Sequence, residues 1–512
     1  MNDTQRKEGF NMNSKKRKDG ITRRQLLKTT GIGAGMIALG QVNLAESAQL
    51  PKAARQEKYN VVVIGTGLAA LSAALEATSQ GAKVIILEKV SRDKSGGNSR
   101  LSAGVIATPS ENTKEARDGY YEDFIKISMG KGDPELTRLL ADQVLDGVDW
   151  LKAQGMEFTP PIPVPRIRAK WVVAAPGLFK GMPKAIDKLL EVLEKRGVKV
   201  AYETKAKELI MDSRGKVSGV KAIDSAGLKD CISEAVIIAS GGYSANKEML
   251  ELWVDHDADE MMVRGVPWST GDGIKMAHKA GAILVNMGGI ATLHIAGVSP
   301  KNTASGNPFT AVPFCVAINK EGKRFVDESK GYVAVGKATM KQPGQKLALV
   351  FDEEIKKTPG VSAAFKLFQG LGIEVIEADT IEDLASKIGA PPAALKVTLE
   401  EFNNSVKDGK ALDVKPPKGA NAFKIITPKF YAFYPLVPGI TLTMGGIKIN
   451  TNCQALEADG RIIPGLYAAG ECVGGIFYDD YIGGGSLARC VVLGRIAGKK
   501  AASEKIIKKK TS

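Results

Sequence analysis

Hydrophobic positions between residues 59 and 89 change period twice. Val61 to Ile64 is an unbroken apolar, β-branched run, the pattern of a strand buried on both faces of a parallel sheet. Helical spacing takes over from about Leu68 to Gln80, and Gly81 stops it. A second apolar strand follows from Lys83 to Leu87 and ends at Glu88. Between the first strand and the helix stand Gly65, Gly67 and Ala70, spaced G-x-G-x-x-A. Gly65 allows the tight turn, Gly67 lets the backbone approach a pyrophosphate, and Ala70 lets the helix pack closely on the strand. The helix N-terminus then faces the phosphates. Glu88 falls roughly 20 residues after the first glycine, where a carboxylate accepts from a ribose hydroxyl. The pattern therefore predicts a complete βαβ dinucleotide-binding unit.

Further along, Lys94 to Gly104 is a glycine- and serine-rich loop able to wrap a cofactor with backbone N–H groups. Residues 111–155 read as polar helices, residues 156–180 as a proline-rich segment carrying Trp171, and Lys184 to Arg196 as an amphipathic helix. Val198 to Tyr202, Ala206 to Asp212 and Val217 to Ile223 alternate as strands of a small antiparallel layer. Ala235 to Ala239 is another buried strand running into Ser240-Gly241-Gly242, and Thr270-Gly-Asp272-Gly opens a helix. Val316 to Asn319 and Arg324 to Val326 flank a hairpin turn, and residues 380–407 form two helices. Gly465 to Ala469 is a late strand ending at Gly470-Glu471, and Gly483-Gly-Gly485-Ser486 starts a helix.

With 512 residues the chain has room for two or three domains and a large core. Its formal charge of +15 is concentrated in part at the front: residues 1–47 hold nine Lys/Arg against four acids, leaving +10 for the remainder. Lys505 to Lys510 is a basic tail, so charge gives no case for nucleic-acid binding. Thr22-Arg23-Arg24-Gln25-Leu26-Leu27-Lys28 resembles a twin-arginine export signal, with Leu26 where Phe is more usual. A weakly apolar run to Leu44 follows, too short to span a bilayer, then small residues at Ala45-Glu46-Ser47. No other stretch is long and apolar enough for a span, so the expectation is an exported, periplasmic protein that is not integral to the membrane. That export route carries folded proteins, as a chain loaded with cofactor in the cytoplasm requires. The five cysteines show neither C-x-x-C nor C-x-x-C-H spacing, which argues against metal sites and covalent haem and favours small apolar core residues.

The segments VVVIGTGLAA, SGGNSRLSAG, IIASGGY, STGDGIKMA, NKEGKRFVDE, TMGGIKI and PGLYAAGE, in this order, resemble the flavoproteins of fumarate reductase and 3-ketosteroid dehydrogenase type from about Tyr59 to the C-terminus. The resemblance implies an α/β fold: a split Rossmann-like FAD domain of glutathione-reductase type with an inserted α+β capping domain. Residues 1–47 are then the signal, 57–288 and 439–507 the two parts of the FAD domain, and 289–438 the cap, with hinges near Gly288-Gly289 and Pro438-Gly439. It implies FAD contacts at Gly65, Gly67, Leu68, Ala69, Glu88, Lys89, Gly96, Gly97, Asn98, Ser99, Gly104, Ala206, Ser240, Gly241, Gly242, Asp272, Gly470, Glu471, Ser486 and Leu487. The helix from Ser486 would face the flavin pyrimidine edge and favour negative charge there. Members that attach FAD covalently do so through a histidine after the first glycine-rich loop; Ser91 to Gly104 has none, so non-covalent FAD is expected.

Fumarate-reducing members clamp a dicarboxylate with two arginines and a histidine. The matching positions here are Tyr332, Leu442 and Tyr481, which argues against fumarate or succinate. Glu328-Ser-x-x-Tyr332 and Tyr481-Ile-Gly-Gly-Gly485 instead match the ketosteroid dehydrogenase pair of tyrosines. By that resemblance, Tyr481 hydroxyl and Gly485 N–H form an oxyanion hole and Tyr332 exchanges the α-proton. His294 lies near the family's substrate-facing histidine. Tyrosine has an ordinary pKa near 10, so Tyr332 is by nature an acid, which favours reduction. Dehydrogenation would need that pKa depressed, with Lys330 and Arg324 the nearby cations. The expectation is reduction of a C=C bond conjugated to a carbonyl in a small molecule, with a separate cytochrome c as electron donor or acceptor. A ketosteroid-type dehydrogenase and a non-catalytic FAD-binding electron-transfer protein are the alternatives.

Overall fold

The computed structural model describes residues 55–163, 167–291, 294–297, 306–478 and 480–507. The twin-arginine segment and the end of the basic tail lie outside them.

The four-residue runs that read as buried strands form the middle of one sheet. Its order is Gln454–Leu456, Ile462–Ala468, Ala235–Ile238, Val61–Ile64, Val84–Leu87 and Lys199–Ala201. The last five run parallel, with Val61 opposite Val84 and Ala235 opposite Val61. Every residue of the three central strands is buried, as expected for strands covered on both faces. Helix Leu68–Ser79 packs beneath them and meets the long C-terminal helix Gly485–Ile507. That pair approaches unusually closely. A Cβ at Gly494 would stand 2.5 Å from the Ala69 carbonyl oxygen, and one at Gly498 would overlap Ala73. The spacing Gly494-x-x-x-Gly498 thus sets how tightly the C-terminal helix presses on the dinucleotide helix.

The strand pattern of Val198 to Tyr202 does not join the antiparallel layer expected of it: its strand, Lys199–Ala201, pairs parallel with Val84–Leu87. The amphipathic helix Gly181–Lys195 delivers it there as the return limb of a crossover. The antiparallel layer consists of Lys205–Met211, Val217–Asp224 and Gly227–Ile232, with Arg55–Lys58 joined parallel at its edge. Strand Phe430–Ile440 runs through Pro438-Gly439, paired with Met262–Val263 and with His294–Gly297.

That strand is the axis of a second sheet, ordered Met262–Val263, Phe430–Ile440, Leu347–Asp352, Val316–Asn319, with Ile376–Ala378 also on Phe430–Ile440. Ile318 bridges to Arg324, closing the expected hairpin. Helices Ile381–Lys387 and Pro392–Ser405 appear where periodicity placed them. Two separate hydrophobic clusters result. One is built around the parallel sheet, the other around Val316, Leu349, Phe368, Phe402 and Phe433. We call the second the cap half. All five cysteines are buried and unbonded, and burial pushes the Cys231 and Cys490 thiols up to about 11 and Cys472 to about 12. They behave as small apolar residues. Among the described residues no helix is long and apolar enough to cross a membrane.

Candidate active site

The turn after Val61–Ile64 needs glycine. Gly65 has φ +107°, and a Cβ there would stand 2.6 Å from the Ala239 carbonyl oxygen of the neighbouring strand. Thr66, between the two glycines, organises the turn: its hydroxyl donates to Glu88 and accepts from the Gly96 N–H at 2.9 Å. Val90 N–H donates to the other Glu88 oxygen at 3.1 Å. Ser99 Oγ accepts from the Leu68 N–H at 3.1 Å, and helix Gly97–Leu101 follows the left-handed Gly96. The two glycine-rich segments are thereby locked together. Ala69, the next residue of the dinucleotide helix, faces the Cα of Gly470, where an added Cβ would stand 2.7 Å from its own.

A second cluster lies at Lys89. Its ammonium donates to Thr270 Oγ1 at 2.9 Å and to Asp272 Oδ2 at 2.8 Å, and Lys205 stands 3.5 Å from the same carboxylate. Burial opposes ionisation of Asp272, but the Lys89 bond and the charges of Lys89, Lys205 and Lys275 outweigh it and hold the carboxyl below its usual range. Ala206 is buried next to Lys205 in the strand Lys205–Met211.

A third cluster joins parts of the chain far apart in sequence. Asn98 donates to Glu471 Oε2 at 3.0 Å, while its own carbonyl oxygen accepts from the Val266 N–H at 2.9 Å. Thr443 N–H donates to Glu471 Oε1 at 3.0 Å. Burial raises the Glu471 pKa, and these donors and the charge of Arg489 only partly offset it. A Cβ on Gly242 would overlap Glu471 and Thr443, so the glycine is what admits the carboxylate. Gly241 is left-handed at φ +77°, and Gly104 at φ +75°. Ser240 Oγ is buried without a partner.

These features fit FAD. The Gly65–Gly67 turn offers backbone to phosphates, Glu88 keeps acceptor capacity for a ribose, and Ser240 has a hydroxyl awaiting a partner. Thr66 and Thr443 escaped the sequence reading. Both sit inside the quoted motifs, but nothing in a motif shows which hydroxyl or N–H closes on which carboxylate.

On the substrate side, Tyr481 packs edge-on against Phe477 at 5.3 Å between ring centres. Its hydroxyl oxygen accepts from the Ser486 N–H at 3.1 Å, in the first turn of the C-terminal helix. Burial pushes the phenol up to about 12; the Ser486 bond and the charge of Arg489 oppose that rise, and Tyr332 adds to it. Gly485 takes a different part from the one expected. Its N–H donates to the Ile482 carbonyl at 2.9 Å, closing the turn into the helix, so the free oxyanion donor assigned to Gly485 is already engaged. Trp171 supports this loop by donating from Nε1 to the Gly483 carbonyl at 2.8 Å.

Tyr332 begins helix Tyr332–Met340, directly after Gly331 at φ +88°. It touches both hydrophobic clusters and meets the Phe309 ring edge-on at 6.1 Å. The segment before it is pinned by Glu328, fully buried, which accepts from the Ala317 N–H at 2.8 Å and from Arg324 at 2.8 and 3.0 Å. Arg324 is therefore engaged by Glu328 and the Pro416 carbonyl. Leu442 is buried in the first cluster. His294 heads the strand His294–Gly297 opposite Gly439; its side chain lies outside the described residues.

Comparison with known proteins agrees with this construction. The family model described as "FAD binding domain" matches residues 60–487. A fumarate reductase (cytochrome) of Shewanella frigidimarina is 30% identical, covering 88% of this chain and 78% of that one. An NADH:acrylate oxidoreductase of Vibrio harveyi is 31% identical over 87% of this chain, which spans only half the length of that relative. Among solved structures, the open conformation of a flavocytochrome c3 fumarate reductase superposes with a TM-score of 0.74 at 29% identity, covering 88% of this chain and 79% of the other. Read together with the glycine cradle and the buried acceptors Glu88 and Glu471, the matches lead to one conclusion: the chain belongs to the FAD-binding flavoprotein family of the fumarate reductases and is an FAD-dependent oxidoreductase acting on carbon–carbon bonds.

Proposed function

We propose that this protein is exported through the twin-arginine route and reduces a C=C bond conjugated to a carbonyl, in a substrate other than fumarate, with electrons from a separate c-type cytochrome. The observation that carries the reading is the state of Tyr481. Its oxygen accepts the Ser486 N–H at a helix N-terminus and its phenol is held up to about 12, so it keeps its proton and has an O–H to donate. Such a group is a hydrogen-bond donor to a carbonyl oxygen, worth about 10²–10³ in rate when that oxygen gains charge. It cannot grip a carboxylate bidentately as arginine does, which disfavours a dicarboxylate substrate.

Gly65, Glu88, Asn98 and Glu471 would hold FAD non-covalently, and bound there it would supply the hydride for the β-carbon. Tyr332 gives its phenolic proton to the α-carbon, Tyr481 holds the carbonyl oxygen meanwhile, and solvent returns the proton to Tyr332. The guanidinium of Arg324 is closed on Glu328, and a tyrosine, whose ordinary pKa is near 10, is by nature a proton donor, which favours reduction. The acrylate and fumarate names of the relatives accord with reduction of an activated double bond.

The test uses FAD-loaded protein reduced anaerobically and offered unsaturated acids, enones and 3-ketosteroids while flavin absorbance is followed. Rapid reoxidation by a compound other than fumarate is the expected result. Reoxidation by fumarate alone would overturn the substrate reading. Bleaching of the oxidised protein by saturated ketones, without reoxidation by any unsaturated compound, would make it a dehydrogenase. Cell fractionation tests export, and a yellow band surviving denaturing electrophoresis would contradict non-covalent FAD.

A further inference from the structure

Arg489 lies one helical turn beyond Ser486 and is completely excluded from solvent. Its Nη1 donates to the Val473 carbonyl at 3.1 Å and its Nη2 to Ser486 Oγ at 3.4 Å, while Nε has no partner. The guanidinium lies 5.2 Å from the centre of the Phe477 ring, the same ring that packs on Tyr481. No carboxylate among the described residues comes within ion-pair distance of it, although its charge acts on the buried Glu471. Arg324, by contrast, is closed on Glu328 and Arg495 stands 3.6 Å from Glu76, whereas Arg264 shares the condition, with Nε and Nη1 unpartnered. A buried charge with no counterion is costly unless the site gains an anion during its working cycle.

The cycle of a flavoprotein supplies one. Two electrons and one proton taken up by FAD leave the site one negative charge richer, and hydride transfer to a conjugated C=C moves that charge onto the substrate carbonyl oxygen. We propose that Arg489 is a positioning residue whose buried guanidinium fixes Ser486 and serves as the standing countercharge for this added electron density. It acts from behind the first turn, adding a full charge to the partial positive charge of the helix end. The part of this inference that concerns the carbonyl rests on Tyr481 as its donor; the part that concerns FAD does not.

Arg489→Met removes the charge but keeps a long side chain beside Phe477, and Arg489→Lys keeps the charge. The first measurement is the midpoint potential of bound FAD by anaerobic dye equilibration, with no substrate present. The expected result is a shift to more negative potential in Arg489→Met by at least tenfold in the two-electron equilibrium, about 30 mV, with most of it restored in Arg489→Lys. The second is the alkaline limb of turnover. The groups around Tyr481 are Tyr332 on the cap half, Tyr120 beside Phe124, Asp480 before it, and Cys490 and Arg489 on the helix. Only the cation is removed, so the limb belonging to Tyr481 moves upward in Arg489→Met.

An unchanged potential in Arg489→Met, or equal losses in Met and Lys variants, would overturn the proposal. If Arg489→Met fails to fold, the decision falls to Arg489→Lys, in which wild-type potential is required. A shifted potential without any unsaturated compound turning over would leave Arg489 as assigned and remove the reductase reading instead. A wild-type potential beside normal turnover would do the reverse.

Discussion

The two halves of the molecule treat buried charge differently. In the cap half, Glu328 is fully buried and answered on every side: Arg324 lies against it, Lys418 stands 3.8 Å away, and Ala317 N–H donates to it. Lys418, equally buried, donates to the Cys315 carbonyl at 2.7 Å, and desolvation holds its pKa below the usual lysine range against the pull of Glu328. In the FAD half, no carboxylate among the described residues lies within ion-pair distance of Arg489, and burial raises Glu471 although the charge of Arg489 partly offsets that. Arg264 follows the same pattern, with Nε and Nη1 unpartnered and burial lowering its pKa to about 10. A closed set of charges holds a shape, here the segment that presents Tyr332. An open set waits for a ligand. The difference separates scaffold from site more sharply than residue type does.

The largest effect should come from opening the closed set. Glu328→Ala strands two cations in the cap interior, and such a loss costs about 3–5 kcal/mol. Denaturant unfolding should show it, with Tyr332-dependent turnover lost as well. A smaller loss would mean that water already enters the cluster. Next, Tyr332→Phe removes the proton donor at the seam between the halves. Turnover should fall about 10²–10⁴-fold with the FAD spectrum and melting temperature unchanged; full activity would strike out its role. Tyr481→Phe, on the FAD side, should lower turnover about 10²-fold, since Ser486 N–H remains to compensate in part. If Tyr481→Phe proved more damaging than Tyr332→Phe, carbonyl polarisation would outrank protonation.

The smallest effect is reserved for a part-buried pair at the edge of the antiparallel layer. Asp224, bonded to Arg55 at 2.7 Å, is held down to about 2, chiefly by that bond. Its folded pKa is depressed, so its contribution is present above the unfolded value of about 3.9 and disappears as pH falls through about 2. Asp224→Asn should therefore lower the melting temperature slightly at neutral pH and converge with the wild type in acid. The drop should be far below that of Glu328→Ala, as surface pairs are weak.

Much of the frame was readable in the chain itself. The strand Val61–Ile64, the turn at Gly65 and Gly67, helix Leu68–Ser79 and the acid at Glu88 obey rules that act within a few residues, so periodicity and glycine placement were enough. The cap helices Ile381–Lys387 and Pro392–Ser405 were found in the same way. What only the tertiary structure decided are pairings across long separations. Val198 to Tyr202 carries a strand pattern, but a pattern does not name the neighbour, and the crossover helix brought it to the parallel sheet. Asn98 meets Glu471 and Trp171 meets Gly483 across more than three hundred residues. Gly485 looks like a free donor in sequence because an N–H is present at every residue except proline; only its closure on Ile482 shows that it is spent. Arg489 is one arginine among many until its complete burial behind Ser486 and against Phe477 sets it apart. Hydrogen-bond satisfaction and charge neutralisation depend on the whole surroundings of a group, and those surroundings do not exist until the chain has folded.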